Sequence, residues 1–248
     1  MAEILRADEV SRRFGGVTAV DRVSLAFEAK ELRSIIGSNG AGKTTLFNVL
    51  TGRLPVTAGR VVFEGRDITN WPPHRIVRIG ISRTFQRSSV FPGLTVLENV
   101  RIAVQARAGG SRRILASRDG IPAVNDRSRQ ILEQLGLADR AALPARALSH
   151  GDQRVLEVGI ALAGEPKILL LDEPTAGMSP AETERIAMLV RRLADEIAVV
   201  LVEHDMEVVM SISDRISVMH QGRIIADGTP DAIQRNEAVR EAYLGKDD

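Results

Sequence analysis

Three aliphatic runs organise the pattern of apolar and polar positions: Leu32–Ile36, Ile168–Leu171 and Val199–Val202, each with polar residues at its end. Apolar runs of this length, broken only by Arg33-Ser34 in the first, suit the centre of a parallel sheet that is covered on both faces. A helical stretch follows each. After the first, KTTLFNVLTG stops at Gly52. After the second, Ser179-Pro180-Ala181-Glu182 has the form of a capping box with proline at the first helical position, and it opens a helix predicted to run to about Ile197. After the third, Asp205 is placed to cap a helix. Strand followed by helix, repeated, predicts a doubly wound α/β sheet.

Two regions break this rhythm. Val23-Ser24-Leu25-Ala26-Phe27 alternates like a half-buried strand and Val61–Phe63 is a second candidate, which predicts a small antiparallel β-subdomain beside the main sheet. From about residue 91 to 163 the pattern turns helical, with Thr95-Val96-Leu97-Glu98 as another capping box, and predicts a helical subdomain inserted into one domain spanning 1–248. In its middle lies QARAGGSRRILASRDG. Its arginines form either a nucleic-acid patch or a solvated loop, and the absence of interleaved aromatic residues favours the loop.

Composition narrows the function classes. With 248 residues, 44% of them apolar, the chain is long enough for one large α/β domain. The net charge of +1 provides no overall field to recruit nucleic acid or anionic lipid. There is no cysteine, which excludes disulfides, thiolate metal sites and thiol catalysis. The charged start MAEILRADEV is unlike a signal peptide, and no stretch approaches the roughly twenty apolar residues of a membrane span. A cytoplasmic chain is expected, with any membrane contact made through a partner.

The chemistry-bearing motifs sit at the ends of the predicted strands. Gly37-Ser38-Asn39-Gly40-Ala41-Gly42-Lys43-Thr44, followed by Thr45, matches G-x-x-x-x-G-K-[ST] between strand and helix. Such glycines let backbone N–H groups curl around phosphate, the lysine reaches the β and γ phosphates, and the Thr44 hydroxyl is suited to magnesium. Ile168–Leu171 delivers the adjacent carboxylates Asp172 and Glu173 at the strand end, where open α/β sheets bind ligands. Asp172 is assigned to Mg2+, directly or through water, and Glu173 to accepting a proton from the attacking water. His204 follows the third strand. Taken alone it would be structural, but adjacent strands would bring it near Glu173, where an imidazole bridges γ-phosphate and water.

The P-loop, Gln86 in Thr84-Phe85-Gln86-Arg87, LSHGDQR at Leu148–Arg154, LLLDEP and the histidine of LVEHD occur in the order and approximate spacing of an ATP-binding-cassette transporter's nucleotide-binding subunit. The resemblance covers nearly the whole chain. It implies a P-loop NTPase fold that binds ATP and Mg2+, with Gln86 contacting magnesium and the attacking water and linking the site to the membrane subunits. Phe14 corresponds to the aromatic that stacks on adenine, with a core phenylalanine as the alternative. LSHGDQR corresponds to the family's signature motif, so Ser149 and the Gly151 N–H would meet the ATP held by a second cassette packed head to tail. A helix N-terminus suits that task. Arg87–Pro92 falls in the zone where the family docks the coupling helices of its channel.

Departures from the family pattern are informative. His150 replaces the third-position glycine of the signature and Asp152 the fifth-position glutamine, while Ala176-Gly177-Met178-Ser179 lacks the usual aspartate. An acid beside bound ATP is unfavourable unless it points away or is neutralised, so Asp152→Gln is expected to leave hydrolysis intact or raise it. Together with AGMSPAE, EHDMEVVMSISDRI and EAYLG, these departures are similar to the cassettes of branched-chain amino acid importers, with urea or short-chain amide importers, exporter cassettes and a soluble non-transport cassette ATPase as rivals. The resemblance implies a second cassette, identical or different, two transmembrane permease subunits, and an extracytoplasmic substrate-binding protein as an indirect partner. It also implies no nucleic acid and a station on the cytoplasmic face of the inner membrane.

Overall fold

The computed structural model describes residues 2–84, 90–107 and 122–244. Two sheets form its framework. One is antiparallel, in the order β2-β1-β4-β5, made by β1 (Glu3–Phe14), β2 (Val17–Glu28), β4 (Ala58–Phe63) and β5 (Arg66–Asp67). The other runs β10-β9-β3-β8-β7-β6 and comprises β3 (Leu32–Ile36), β6 (Ile81–Arg83), β7 (Ile168–Asp172), β8 (Ala198–Val202), β9 (Arg215–His220) and β10 (Arg223–Gly228). β6, β7, β8, β3 and β9 are parallel and β10 closes the edge antiparallel to β9. The predicted α/β class with a mainly parallel core and an antiparallel sheet is what the chain folds into.

The apolar runs of β7 and β8 are continuous because each strand faces two cores, whereas β3 buries Arg33 and Ser34 among its apolar residues. In β7, Ile168 and Leu170 join the cluster shared with the antiparallel sheet, whereas Leu169 and Leu171 point into the helical cluster on the opposite face. In β8, Ala198, Val200 and Val202 face the first and Val199 and Leu201 the second, the two-residue period of a pleated strand. Helix α1 (Lys43–Leu50) supplies Leu46, Phe47 and Leu50 to the first core. Between β6 and β7 lie α3 (Val96–Arg107), α4 (Pro122–Gln134) and α5 (His150–Leu162), which fill the second core together with α6 (Pro180–Ala194). α2 (Pro73–Ile79) precedes β6, and α7 (Met206–Ile212), α8 (Pro230–Gln234) and α9 (Glu237–Leu244) follow β8.

Both predicted capping boxes are made. Thr95 N donates to Glu98 Oε2 at 2.9 Å while Glu98 N donates to Thr95 Oγ1 at 3.1 Å, and Ser179 and Glu182 close the same reciprocal pair at the start of α6. α6 ends at Ala194, short of the predicted Ile197, because Ile197 turns in to join the second core ahead of β8. Asp205 caps α7 by accepting from Glu207 N and Val208 N. Among the described residues no helix is long and apolar enough to cross a membrane.

Candidate nucleotide site

The loop after β3 reverses into α1 on glycines that have no substitute. Gly42 is the N-cap of α1 at φ 105°, and a Cβ there would overlap the Ala19 carbonyl and the Met219 side chain. Ser38, Asn39 and Gly40 are exposed at the rim, Ala41 and Lys43 are buried, and Thr44 and Thr45 occupy the first turn of α1. Lys43 Nζ bridges back to Gly37 O at 2.6 Å and Ser38 O at 3.1 Å, so the ammonium spans the loop. Burial pushes the Lys43 pKa below its ordinary 10.5, against the opposing pull of the nearby Glu173 and Asp172 carboxylates. The structure therefore brings together the lysine and both predicted carboxylates.

Asp172 ends β7 opposite Val202 of β8, and Glu173 follows it with its N–H on Val202 O at 2.8 Å. Glu173 sits at φ 49°, a left-handed conformation that a side chain adopts at a cost of order 1–3 kcal/mol and that clusters at functional sites. The adjacent strand end carries Glu203 and His204. Glu203 is fully buried; its Oε1 accepts from Thr175 N (3.0 Å) and Thr175 Oγ1 (2.6 Å), and its Oε2 accepts from His204 N. It thereby ties the turn after Glu173 to the residue bearing the exposed imidazole of His204. Magnesium favours one or two carboxylates completed by phosphate and water over an all-protein cage. Asp172 fits that requirement, since its Oδ1 is buried with no hydrogen-bond partner, and among the described residues no cluster of His, Asp or Glu forms a cage by itself.

Phe14 ends β1 and is 44% exposed, with the Arg12 guanidinium 4.5 Å from its ring centroid, so it presents a face to solvent and the core alternative is overturned. Gln86 lies outside the described residues, as do Arg87–Ser89 and most of the arginine-rich stretch; Phe91 is 53% exposed. Ser149 is the N-cap of α5, its Oγ accepting from Asp152 N at 3.1 Å. Gly151 lies in the first turn, and its N–H faces the Glu182 carboxylate, whose pKa is held low first by Ser179 and further by this amide. The α5 N-terminus already holds an oxyanion. The Asp152 side chain is buried between Arg140 and Arg185, which neutralise it. Neutralisation, one of the two conditions set for an acid at this position, is met.

Several residues that hold these side chains escaped the sequence, among them Arg83, which donates to Asp172 Oδ2. Arg83, Arg140 and Arg185 are isolated arginines whose pairing depends on tertiary placement, and Glu203, next to His204, carries no spacing signal of its own. Below α5 and α3, a groove of about 630 Å³ is lined by Ile76 and Val77 of α2, Arg83 and Thr84 at the end of β6, Ala103 of α3 and Ile160 of α5. Pattern gives no warning of it, since it is lined by residues of four elements brought together only by the fold.

A phosphate loop, a strand-end carboxylate pair and a mainly parallel sheet define a P-loop nucleotide-hydrolysing domain. The ABC transporter pattern matches residues 20–176, and that of the branched-chain amino acid ATP-binding cassette transporter matches 223–248. The chain is 41% identical over 250 residues to the high-affinity branched-chain amino acid transport ATP-binding protein LivG of Salmonella typhimurium, covering 98% of each. It is 41% identical over 252 residues to the corresponding ATP-binding protein BraF of Pseudomonas aeruginosa, again covering 98% of each. A solved nucleotide-free ATP-binding cassette from an ABC transporter superposes with a TM-score of 0.87 at 33% identity, covering 99% of this chain and all of that one. The chain belongs to the ABC transporter family, as an ATP-binding cassette whose activity is ATP hydrolysis.

Proposed function

We propose that the chain is the ATP-hydrolysing subunit of an importer for branched-chain amino acids, with residues 91–163 as its helical subdomain. The observation that carries this is full-length similarity to cassettes of that named activity, together with a P-loop whose Lys43 lies beside Asp172 and Glu173. Lys43 and the loop amides hold the phosphates, Phe14 stacks on the base, and Glu173 accepts the proton of the attacking water. His204, held through Glu203, bridges that water and the γ-phosphate. Bound Mg2+, held by Asp172 and Thr44 with Gln86 contributing, would neutralise developing phosphate charge. Ser149 and Gly151 serve the ATP of a second cassette, whose γ-phosphate takes the place that the Glu182 carboxylate holds beside Gly151. Loss of that phosphate removes the contact between chains.

The groove beside Thr84 is mostly apolar at its lining and is assigned to one of two permease subunits on the cytoplasmic face of the membrane. An extracytoplasmic binding protein would then deliver the cargo without touching this chain. The test is to purify the chain with its membrane subunits from native membranes and reconstitute the complex. ATP hydrolysis stimulated by leucine, isoleucine or valine with their binding protein is the expected result. Stimulation by urea or amides alone would assign a different cargo.

A further inference from the structure

Arg83, the last residue of β6, is an almost fully buried cation between three elements. One Nη donates to Asp172 Oδ2 at 2.7 Å, the other to Asn48 Oδ1 of α1 at 2.7 Å, and the guanidinium carbon lies 5.3 Å from the Phe47 ring centroid. The side chains of Arg83 and Asp172 are 6% and 1% exposed. Register explains the meeting. β6 and β7 are parallel with Arg83 opposite Leu170, so Asp172, two residues further along, projects from the same face as Leu170, over α1. One nitrogen of a planar guanidinium holds Asp172 Oδ2 while Asn48 anchors the other, so the direction of the single bond to the carboxylate is fixed. With Oδ2 taken, Oδ1 is left buried and without a partner.

We propose that Arg83 is the positioning residue for the metal-holding carboxylate: it occupies one oxygen of Asp172 so that the other is presented to the cation bound with nucleotide. This rests on the assignment of Asp172 to magnesium. The same arginine lines the groove assigned to the permease, so the partner's seat and the cation's carboxylate share one side chain. A residue acting through a metal ligand in this way typically changes metal affinity about 10–100-fold. The informative substitution is Arg83→Lys, which keeps the charge and loses the fork, so that only orientation changes.

The measurement is the calorimetric affinity of the full chain for ADP, with magnesium and with a chelator; the ratio of the two reports the metal. Arg83→Lys should leave metal-free ADP affinity within about twofold of the parent and cut the magnesium-dependent tightening about tenfold. Asn48→Ala, which frees the second prong without touching the pair, should lower it in the same direction by less. Because Arg83 acts through Asp172, the double variant Arg83→Lys with Asp172→Asn should lose no more than Asp172→Asn alone. Full tightening in Arg83→Lys and Asn48→Ala, with its loss in Asp172→Asn, overturns the role of Arg83. Full tightening in Asp172→Asn would instead show that Asp172 does not hold the metal, and the inference would fall with that assignment.

Discussion

Replacing Asp152 by asparagine removes one charge and almost no volume from the first turn of α5. In the structure this carboxylate is 5% exposed and receives Arg140 and Arg185, which are themselves 37% and 49% exposed. Breaking a fully buried pair costs about 3–5 kcal/mol because a charge is stranded. Here the arginines can rehydrate, so each pair is nearer the surface value of about 1 kcal/mol, and loss of an acid from a helix's first turn adds about 0.5 kcal/mol. The total is about 2–3 kcal/mol. For a chain of this size, at about 2–4 °C per kcal/mol, that lowers Tm by roughly 5–10 °C. The assay is thermal unfolding of nucleotide-free protein, parent against Asp152→Asn, with ATPase rates at a temperature where both are folded. Because the ion pairs to Arg140 and Arg185 anchor the first turn of α5, which carries Ser149 and Gly151, hydrolysis should also fall, by about tenfold or ~1.4 kcal/mol of barrier. A Tm shift under about 1 °C with unchanged turnover would refute the reasoning and restore the expectation from sequence that restoring an amide is harmless.

Glu173→Gln should bind MgATP and hydrolyse it at least about a hundredfold more slowly, because an amide cannot take the proton; near-parent turnover measured by phosphate release would remove Glu173 as the base. Lys43 has a pKa lowered from 10.5 in the free protein, and phosphate needs the ammonium. Metal-free ADP affinity should be full below that lowered value and fall as pH rises through it towards 10.5, with proton uptake on binding in that window. Calorimetry in two buffers of different ionisation enthalpy reads this directly, and flat affinity up to 10.5 would contradict it. Gly42→Ala should abolish nucleotide binding and destabilise the fold, since its Cβ meets the backbone of β2; a parent-like ADP affinity would show that the loop yields.

What the sequence disclosed followed from local rules. The three central strands were visible because both faces are buried, and the caps at Thr95, Ser179 and Asp205 because their partners lie within three residues. β1 was missed as a strand. Its register slips between Ala7 and Val10, and Glu9 has φ 46°, so a bulge breaks the two-residue alternation. The β9–β10 hairpin had a usable signal in Gln221-Gly222, both at positive φ between two apolar runs, as a tight primed turn requires. The P-loop and the strand-end carboxylates were legible as continuous text. The partners of Asp152 and Asp172 were not, because Arg140, Arg185 and Arg83 reach them only across the packed fold, 12, 33 and 89 residues away.

The central claim is that the helix at Ser149 completes the ATP site of another chain, and Ser149→Arg tests it most directly. A bulky cation there should block pairing and leave the chain's own P-loop intact. The measurement is specific ATPase activity against protein concentration, with the partner cassette added where one is found, alongside MgATP affinity. Parent activity should rise with concentration while Ser149→Arg stays near background yet binds MgATP with near-parent affinity. Activity that is flat from dilute to concentrated parent protein, with no dimer at any concentration, would mean that each chain completes its own site and that α5 is only a capped and packed helix.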